Sequence, residues 1–223
     1  MSSGLRRFVA SAPERRRPEP APVGAAAPAP GERCEMCAEP IPPEGTVTVH
    51  GHGHVADLEH RSLLCTCRAC YLLFTQRGAA GGRYHSVPDR FLHDPELALT
   101  PVQWDGMQIP VRMAFLFRNS EAEQWVAFYP SPAGSTESLL SLESWAEVLE
   151  ANPVFDTAEP DVEAVLIQSL EDGFEGFLVP ITACYELVAR VRMHWQGFSG
   201  GEKAHAEIAE FFAAVRERSE RVS

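Results

Sequence analysis

The pattern of hydrophobic and polar positions from residue 94 onward predicts short strands and amphipathic helices. Four strand-like runs form two hairpins, 107–117 with 124–129 and 162–170 with 174–181. Helical periodicity covers 144–151, 184–195 and 202–220, and Ser144 with Glu147 matches a capping box at the start of the first helix. Because strands and helices do not alternate strictly, we expect an α+β fold, an antiparallel sheet with helices packed on one face.

The first 93 residues have a different character. Residues 1–31 are rich in Pro, Ala and Arg and predict a disordered tail. Residues 32–93 predict a cysteine-rich metal-binding module, with a strand at 46–50, a Gly-rich turn at 50–54 and a returning strand at 55–58. A short helix should begin at Cys67 and bury residues 71–74. Residues 94–223 are predicted to form an acidic α+β domain.

Four cysteines in two closely spaced pairs predict a metal site. Cys34-Glu-Met-Cys37 and Cys67-Arg-Ala-Cys70 are two C-x2-C knuckles, and each can direct two thiolates at one centre. Buried or incidental cysteines are the alternative, but four thiols at this spacing are typical of zinc. A ligand set of Cys34, Cys37, Cys67 and Cys70 predicts an N-terminal zinc-knuckle module, treble-clef- or ribbon-like, with the second knuckle opening a helix.

Neighbouring side chains offer other ligands for the same ion. Cys65 is a fifth thiol that could replace Cys67, or it is a small buried side chain. His54 and His60 are rival ligands, although a complete four-cysteine set leaves them no position.

Two other functions use the same cysteine spacing. A rubredoxin-like iron centre would make the protein an electron carrier, but Ala38-Glu39-Pro40 and Tyr71-Leu72 follow the knuckles where rubredoxins have Gly. An HNH-type nuclease would need a catalytic His, for which His54 or His60 could serve. The formal net charge of −12 disfavours a nucleic-acid partner, because phosphate binding depends on Lys and Arg.

The rest of the chain offers little chemistry. Gly197-Phe-Ser199-Gly-Gly201 matches a nucleophile elbow, but it follows a predicted helix and indicates a helix–helix turn. Cys184 is interpreted as a buried structural thiol, and no catalytic residue is assigned. Residues 129–138 predict a loop of small residues suited to a partner contact. No apolar run reaches about 18 residues, and the cysteine clustering suits a reducing compartment, so we expect a cytoplasmic protein without membrane contact.

Several motifs carry a resemblance that spans roughly residues 32–213. They are Cys34-Glu-Met-Cys37 with Pro40-Ile41, the run 63–74, the run 126–138, and Cys184-Tyr-Glu-Leu-Val188 with Trp195. These segments resemble an uncharacterised family of high-GC Gram-positive bacteria whose genes are usually found beside those of nickel–iron hydrogenases and their maturation factors. The resemblance implies an accessory role with a protein partner such as the hydrogenase or a maturation factor, and no established activity.

Overall fold

A computed structural model describes residues 32–41, 52–76, 78–138, 145–197 and 199–222. The predicted tail at 1–31, the predicted strand at 46–50 and the predicted cap at Ser144 lie outside these residues. Within the described part, residues 32–222 belong to one compact unit.

The cysteine-rich segment contains a small antiparallel sheet. Its elements are β1 (His52–Asp57), β2 (Ser62–Cys67), α1 (Arg68–Leu73) and β3 (Tyr84–Ser86). The strand order is β2-β1-β3, and His54 lies opposite Cys65 in the register of β1 and β2. The predicted Gly-rich turn is therefore wrong for residues 52–54, which lie in β1. The hairpin turns instead at 58–61, where Arg61 adopts a positive φ of 50°.

A seven-stranded mixed sheet forms the larger part of the fold. Its elements are β4 (Leu92–Asp94), α2 (Pro101–Gly106), β5 (Met113–Asn119), β6 (Gln124–Ser131), β7 (Gly134–Ser138), α3 (Trp145–Ala151), β8 (Glu163–Ser169), β9 (Phe174–Pro180), α4 (Ile181–His194), α5 (Gly201–Arg218) and β10 (Glu220–Arg221). The order is β10-β4-β9-β8-β5-β6-β7. All neighbours are antiparallel except β10 and β4.

Helices cover both faces of this sheet, so the prediction of helices on one face is wrong. Ala164 and Leu166 of β8 belong to a core cluster with α4 and α5. Val165 and Ile167, which point to the opposite face, belong to a cluster with Trp104 of α2 and residues of α3. Successive apolar residues in β8 are buried on both sides, as expected for a central strand with two covered faces.

Two local predictions are wrong, the strand at 107–112 and the loop at 129–138. The run 107–112 is not a strand; it follows α2, whose Thr100 caps the helix through a reciprocal bond with Gln103. Residues 129–138 are not a loop, because β6 and β7 pair as a hairpin around Pro132 and Ala133. The strands at 124–131, 163–169 and 174–180 and the last two helices lie close to where periodicity predicts them.

Gly176 in β9 allows the sheet to touch Phe155. A Cβ atom built there would lie 2.8 Å from Phe155 Cζ and 3.2 Å from Leu97 Cδ1, and Phe155 is fully buried. We expect Gly176→Ala to lower the free energy of unfolding by about 1–3 kcal/mol through overpacking. Gly106→Ala is the control, since a Cβ atom there meets nothing within 4 Å. Denaturant titration that finds equal stabilities for the two variants would contradict the steric explanation.

Candidate metal centre

The first cysteine pair lies in a tight turn formed by residues 32–41. Cys34 N–H donates to Glu39 O at 2.9 Å, and Ala38 N–H donates to Cys34 O at 2.8 Å. Ala38 has a positive φ of 62°, which turns the chain back on itself. The turn thus brings the Sγ atoms of Cys34 and Cys37 within 4.8 Å of each other.

The second pair lies where β2 passes into α1. Cys67 is the last residue of β2 and the N-cap of α1, with extended backbone angles, and Cys70 lies in the first turn of the helix. The turn at residues 32–41, called the knuckle turn below, is tied to β2. Glu35 N–H donates to Cys65 O at 2.9 Å, and the Glu35 carboxylate accepts from Cys65 N–H. Along the chain, the knuckle turn is therefore followed by the β1–β2 hairpin and then by α1.

These two segments bring four sulfur atoms together. The Sγ atoms of Cys34, Cys37, Cys67 and Cys70 lie within 4.8 Å of one another, and those of Cys37 and Cys67 are 3.7 Å apart. Cys34 and Cys70 are buried, Cys67 is half-buried and Cys37 is exposed. Four sulfurs in such a group can hold one tetrahedral cation.

The thiols of the cluster do not ionise alike. Burial opposes ionisation of Cys34, but the backbone N–H groups of Cys67, Cys37 and Met36 outweigh it and lower the pKa of Cys34 to about 6. Burial, together with the neighbouring thiols, raises the pKa of Cys70. A bound cation would remove this conflict, because it stabilises all the thiolates at once.

A family comparison adds one finding. The model of a family of unknown function, DUF5947, matches residues 33–219. The chain belongs to the DUF5947 family. The matched region includes both cysteine pairs and six strands of the seven-stranded sheet, and it ends just before β10. The comparisons with curated proteins and with solved structures find no match.

In this DUF5947 chain, Cys65 packs beside the four-sulfur cluster but is not one of its four sulfurs. It forms a second group with His52 and His54, whose possible ligand atoms all lie within 4.8 Å of one another. Burial lowers the pKa of His54 and raises that of Cys65. Sequence reasoning missed this group because it placed residues 50–54 in a turn. The His-Gly-His spacing would have placed the two histidines on one face of a strand, since residues two apart in a strand share a face, but it gives no sign that Cys65 lies opposite them.

His60 belongs to a third group, with Asp57 and Glu59, whose two carboxylates both pair with Arg83. The guanidinium of Arg83 donates to both Asp57 carboxylate oxygens, at 3.1 and 2.7 Å, and pairs with Glu59 at 2.8 Å. Hydrogen bonds from Arg83 hold the pKa of Asp57 well below its usual range. The group is therefore an ion-pair network at the end of β1.

Other candidate residues have structural explanations. Cys184 is fully buried in α4, and burial raises its pKa, so it is no accessible nucleophile. The 197–201 motif connects α4 to α5, as predicted for a helix–helix turn. The buried carboxylates Glu163 and Glu175 pair with Arg90 and Arg216. Among the described residues, no helix has the length and apolar character to cross a membrane.

Proposed function

We propose that the protein binds one structural zinc ion through Cys34, Cys37, Cys67 and Cys70, and that it acts as an accessory protein in nickel–iron hydrogenase assembly or function. The clustering of the four Sγ atoms within 4.8 Å carries the zinc part of the proposal. A closed set of four thiolates is typical of structural zinc rather than catalytic zinc, which keeps an open position.

The packing around the cluster supports a structural role for the ion. The buried apolar group there consists of Cys34, Ile41 and Cys70, with Met36, Cys65 and Cys67 partly buried against it. Among the described residues, this small group alone does not offset the entropy of ordering residues 32–41, because fixing one backbone residue costs about 1–2 kcal/mol. A structural zinc ion contributes the missing stability. The knuckle turn, hairpin and helix also follow the treble-clef order.

Iron is the second candidate, favoured by one observation. Cys37 is exposed, so a ferric tetrathiolate would have one sulfur at the surface from which electrons could pass to a partner. The cysteine pairs argue for zinc, because the second pair opens a helix instead of forming a second loop knuckle. Metal analysis of protein purified without added metal should find zinc, and a red, iron-containing protein would favour the electron carrier.

The accessory role depends on the family resemblance and is supported by charge. From residue 95 onward the chain has eight basic and 21 acidic residues. Such a surface favours encounter with a basic partner and repels anionic partners. Within the described residues, β7 pairs only with β6 and leaves one edge without a neighbouring strand. An open edge can accept a strand from another protein, so we place the partner contact at 131–138.

A charge reversal on β7 tests this contact. Glu137 is exposed, and we expect Glu137→Arg to weaken capture of a hydrogenase component by the tagged protein about tenfold. Glu217→Arg, on the exposed side of α5, is the matched control because it changes net charge equally. Both variants should keep their metal content and melting temperature. Capture by the unchanged protein should fall with added salt.

Gene deletion tests the pathway itself. Deletion is expected to lower hydrogenase activity without affecting growth on other energy sources. Full activity in the deletion strain, with no hydrogenase component recovered on the tagged protein, would overturn the accessory role and leave the zinc assignment intact.

A further inference from the structure

The face of the β1–β2 hairpin next to the cysteine cluster carries a second set of metal-binding side chains. His52 and His54 are two residues apart in β1, and Cys65 lies opposite His54 in β2. Side chains at these positions share one face of the hairpin. Their possible ligand atoms lie within 4.8 Å of one another, and all three residues are half-buried.

The distances suit a small transition-metal ion. Tetrahedral zinc with bonds of about 2.0–2.3 Å separates its ligand atoms by roughly 3.3–3.8 Å, so modest side-chain rotation would complete the site. The two imidazole rings are in edge contact, with centroids 5.2 Å apart and planes at 81°.

The surrounding backbone holds these ligands in place. Gly53, between the two histidines, faces α1, where any Cβ atom would collide with the ring of Tyr71. The close approach of α1 therefore fixes which face of β1 the histidines occupy. Cys65 is fixed by two hydrogen bonds with Glu35, since its carbonyl accepts from Glu35 N–H and its own N–H donates to the Glu35 carboxylate. That carboxylate also adds negative charge beside the thiol ligand.

We infer that His52, His54 and Cys65 form a second site for a divalent transition-metal ion of the zinc class, with one coordination position open. Two imidazoles and one thiolate suit such ions, while Mg²⁺ and Ca²⁺ prefer oxygen ligands. An ion with three protein ligands keeps a position for water or an external ligand. The ion at this site should therefore exchange faster than one enclosed by four thiolates.

Metal counting on the full-length protein tests the site. Equilibrium dialysis against Zn²⁺, followed by elemental analysis, should give two zinc ions per chain, and His52→Ala/His54→Ala should reduce this to one. His60→Ala is the control and should keep two ions per chain. Loss of an ion in this variant would instead place that ion at the group of Asp57, Glu59 and His60. A chelator should remove one ion from the unchanged protein much faster than the other.

Further variants separate this site from the cysteine cluster. Cys65→Ser should lose the fast-exchanging ion only. Cys34→Ala/Cys37→Ala should lose the slow one and should also weaken binding at the second site, because the turn that holds Cys65 through Glu35 is then no longer fixed. In Co²⁺-substituted protein, the histidine variant should keep the strong thiolate-to-cobalt absorption of the cysteine cluster, which also shows that its fold is intact. A single ion per chain in the unchanged protein, unaffected by the histidine substitutions, would overturn the second site.

Discussion

Cys67→Ala is expected to release the ion of the four-cysteine cluster and to unfold residues 32–41 together with α1. Cys67 ends β2 and caps α1, and its Sγ lies 3.7 Å from that of Cys37 in the turn at residues 32–41. Its loss therefore removes the ligand that links this turn to the start of α1. Structural zinc contributes about 10 kcal/mol or more to the folding of small elements. We therefore expect the largest stability loss of any single substitution considered for this protein.

Cys65→Ala is the matched control two residues away on the same strand. Cys65 is half-buried and belongs to the group with His52 and His54, so its replacement leaves all four cluster thiols in place. It should cost roughly 1 kcal/mol from lost packing of a small side chain, plus any contribution of the second ion. Elemental analysis distinguishes the two variants, because Cys65→Ala should keep the ion of the four-cysteine cluster and Cys67→Ala should lose it.

Limited proteolysis and denaturant titration measure the difference directly. The Cys67 variant should be cut within 32–41 under conditions in which the unchanged protein and the Cys65 variant are protected. Equal losses of stability in the two variants would show that the wrong thiol has been assigned to the cluster.

Periodicity predicted the regular elements of the large sheet well, because their hydrophobic faces are long. The runs leading to β8, β9, α4 and α5 each bury several apolar residues. Short elements were missed or misplaced because local chemistry decides them. The six-residue helix α2 depends on the Thr100–Gln103 capping box, and β7 depends on pairing with β6 instead of on its own polar sequence.

Tertiary contacts explain the other errors. Hydrophobicity alone predicted that Leu72 and Leu73 are buried, yet they are 49% and 65% exposed, because α1 packs on β1 through Tyr71. The spacing of the cysteine pairs indicated the four-sulfur cluster without any knowledge of the fold. The group of His52, His54 and Cys65 depends on strand register, which an isolated sequence does not specify.

The second large effect is expected at Arg90, which neutralises a buried carboxylate. Glu163 has no exposed side-chain surface, and Arg90 donates to its two oxygens from Nε at 2.9 Å and from a terminal nitrogen at 2.6 Å. This pairing joins the segment before β4 to the start of β8. Arg90→Met would leave Glu163 with the backbone N–H of Glu159 at 2.8 Å but without its cation.

An uncompensated charge in the interior is costly. Breaking a buried ion pair by removing one partner typically costs about 3–5 kcal/mol, and we expect the lower end because the Arg90 side chain is 39% exposed. Arg61→Met is the control, since Arg61 pairs with Glu121 at the same 2.6 Å but both side chains are 75% exposed. An exposed pair contributes at most about 1 kcal/mol.

The double variant Arg90→Met/Glu163→Gln separates the charge from the packing of the arginine. It removes the buried charge, so its free energy of unfolding should recover toward that of the unchanged protein. The recovery should be incomplete, because the hydrogen bonds donated by Arg90 are not restored. Denaturant titration of the single and double variants and of the Arg61 control gives all the required values. Two results would contradict this explanation. Either Arg90→Met lowers the free energy of unfolding no more than Arg61→Met does, or removing the Glu163 charge restores none of the lost stability.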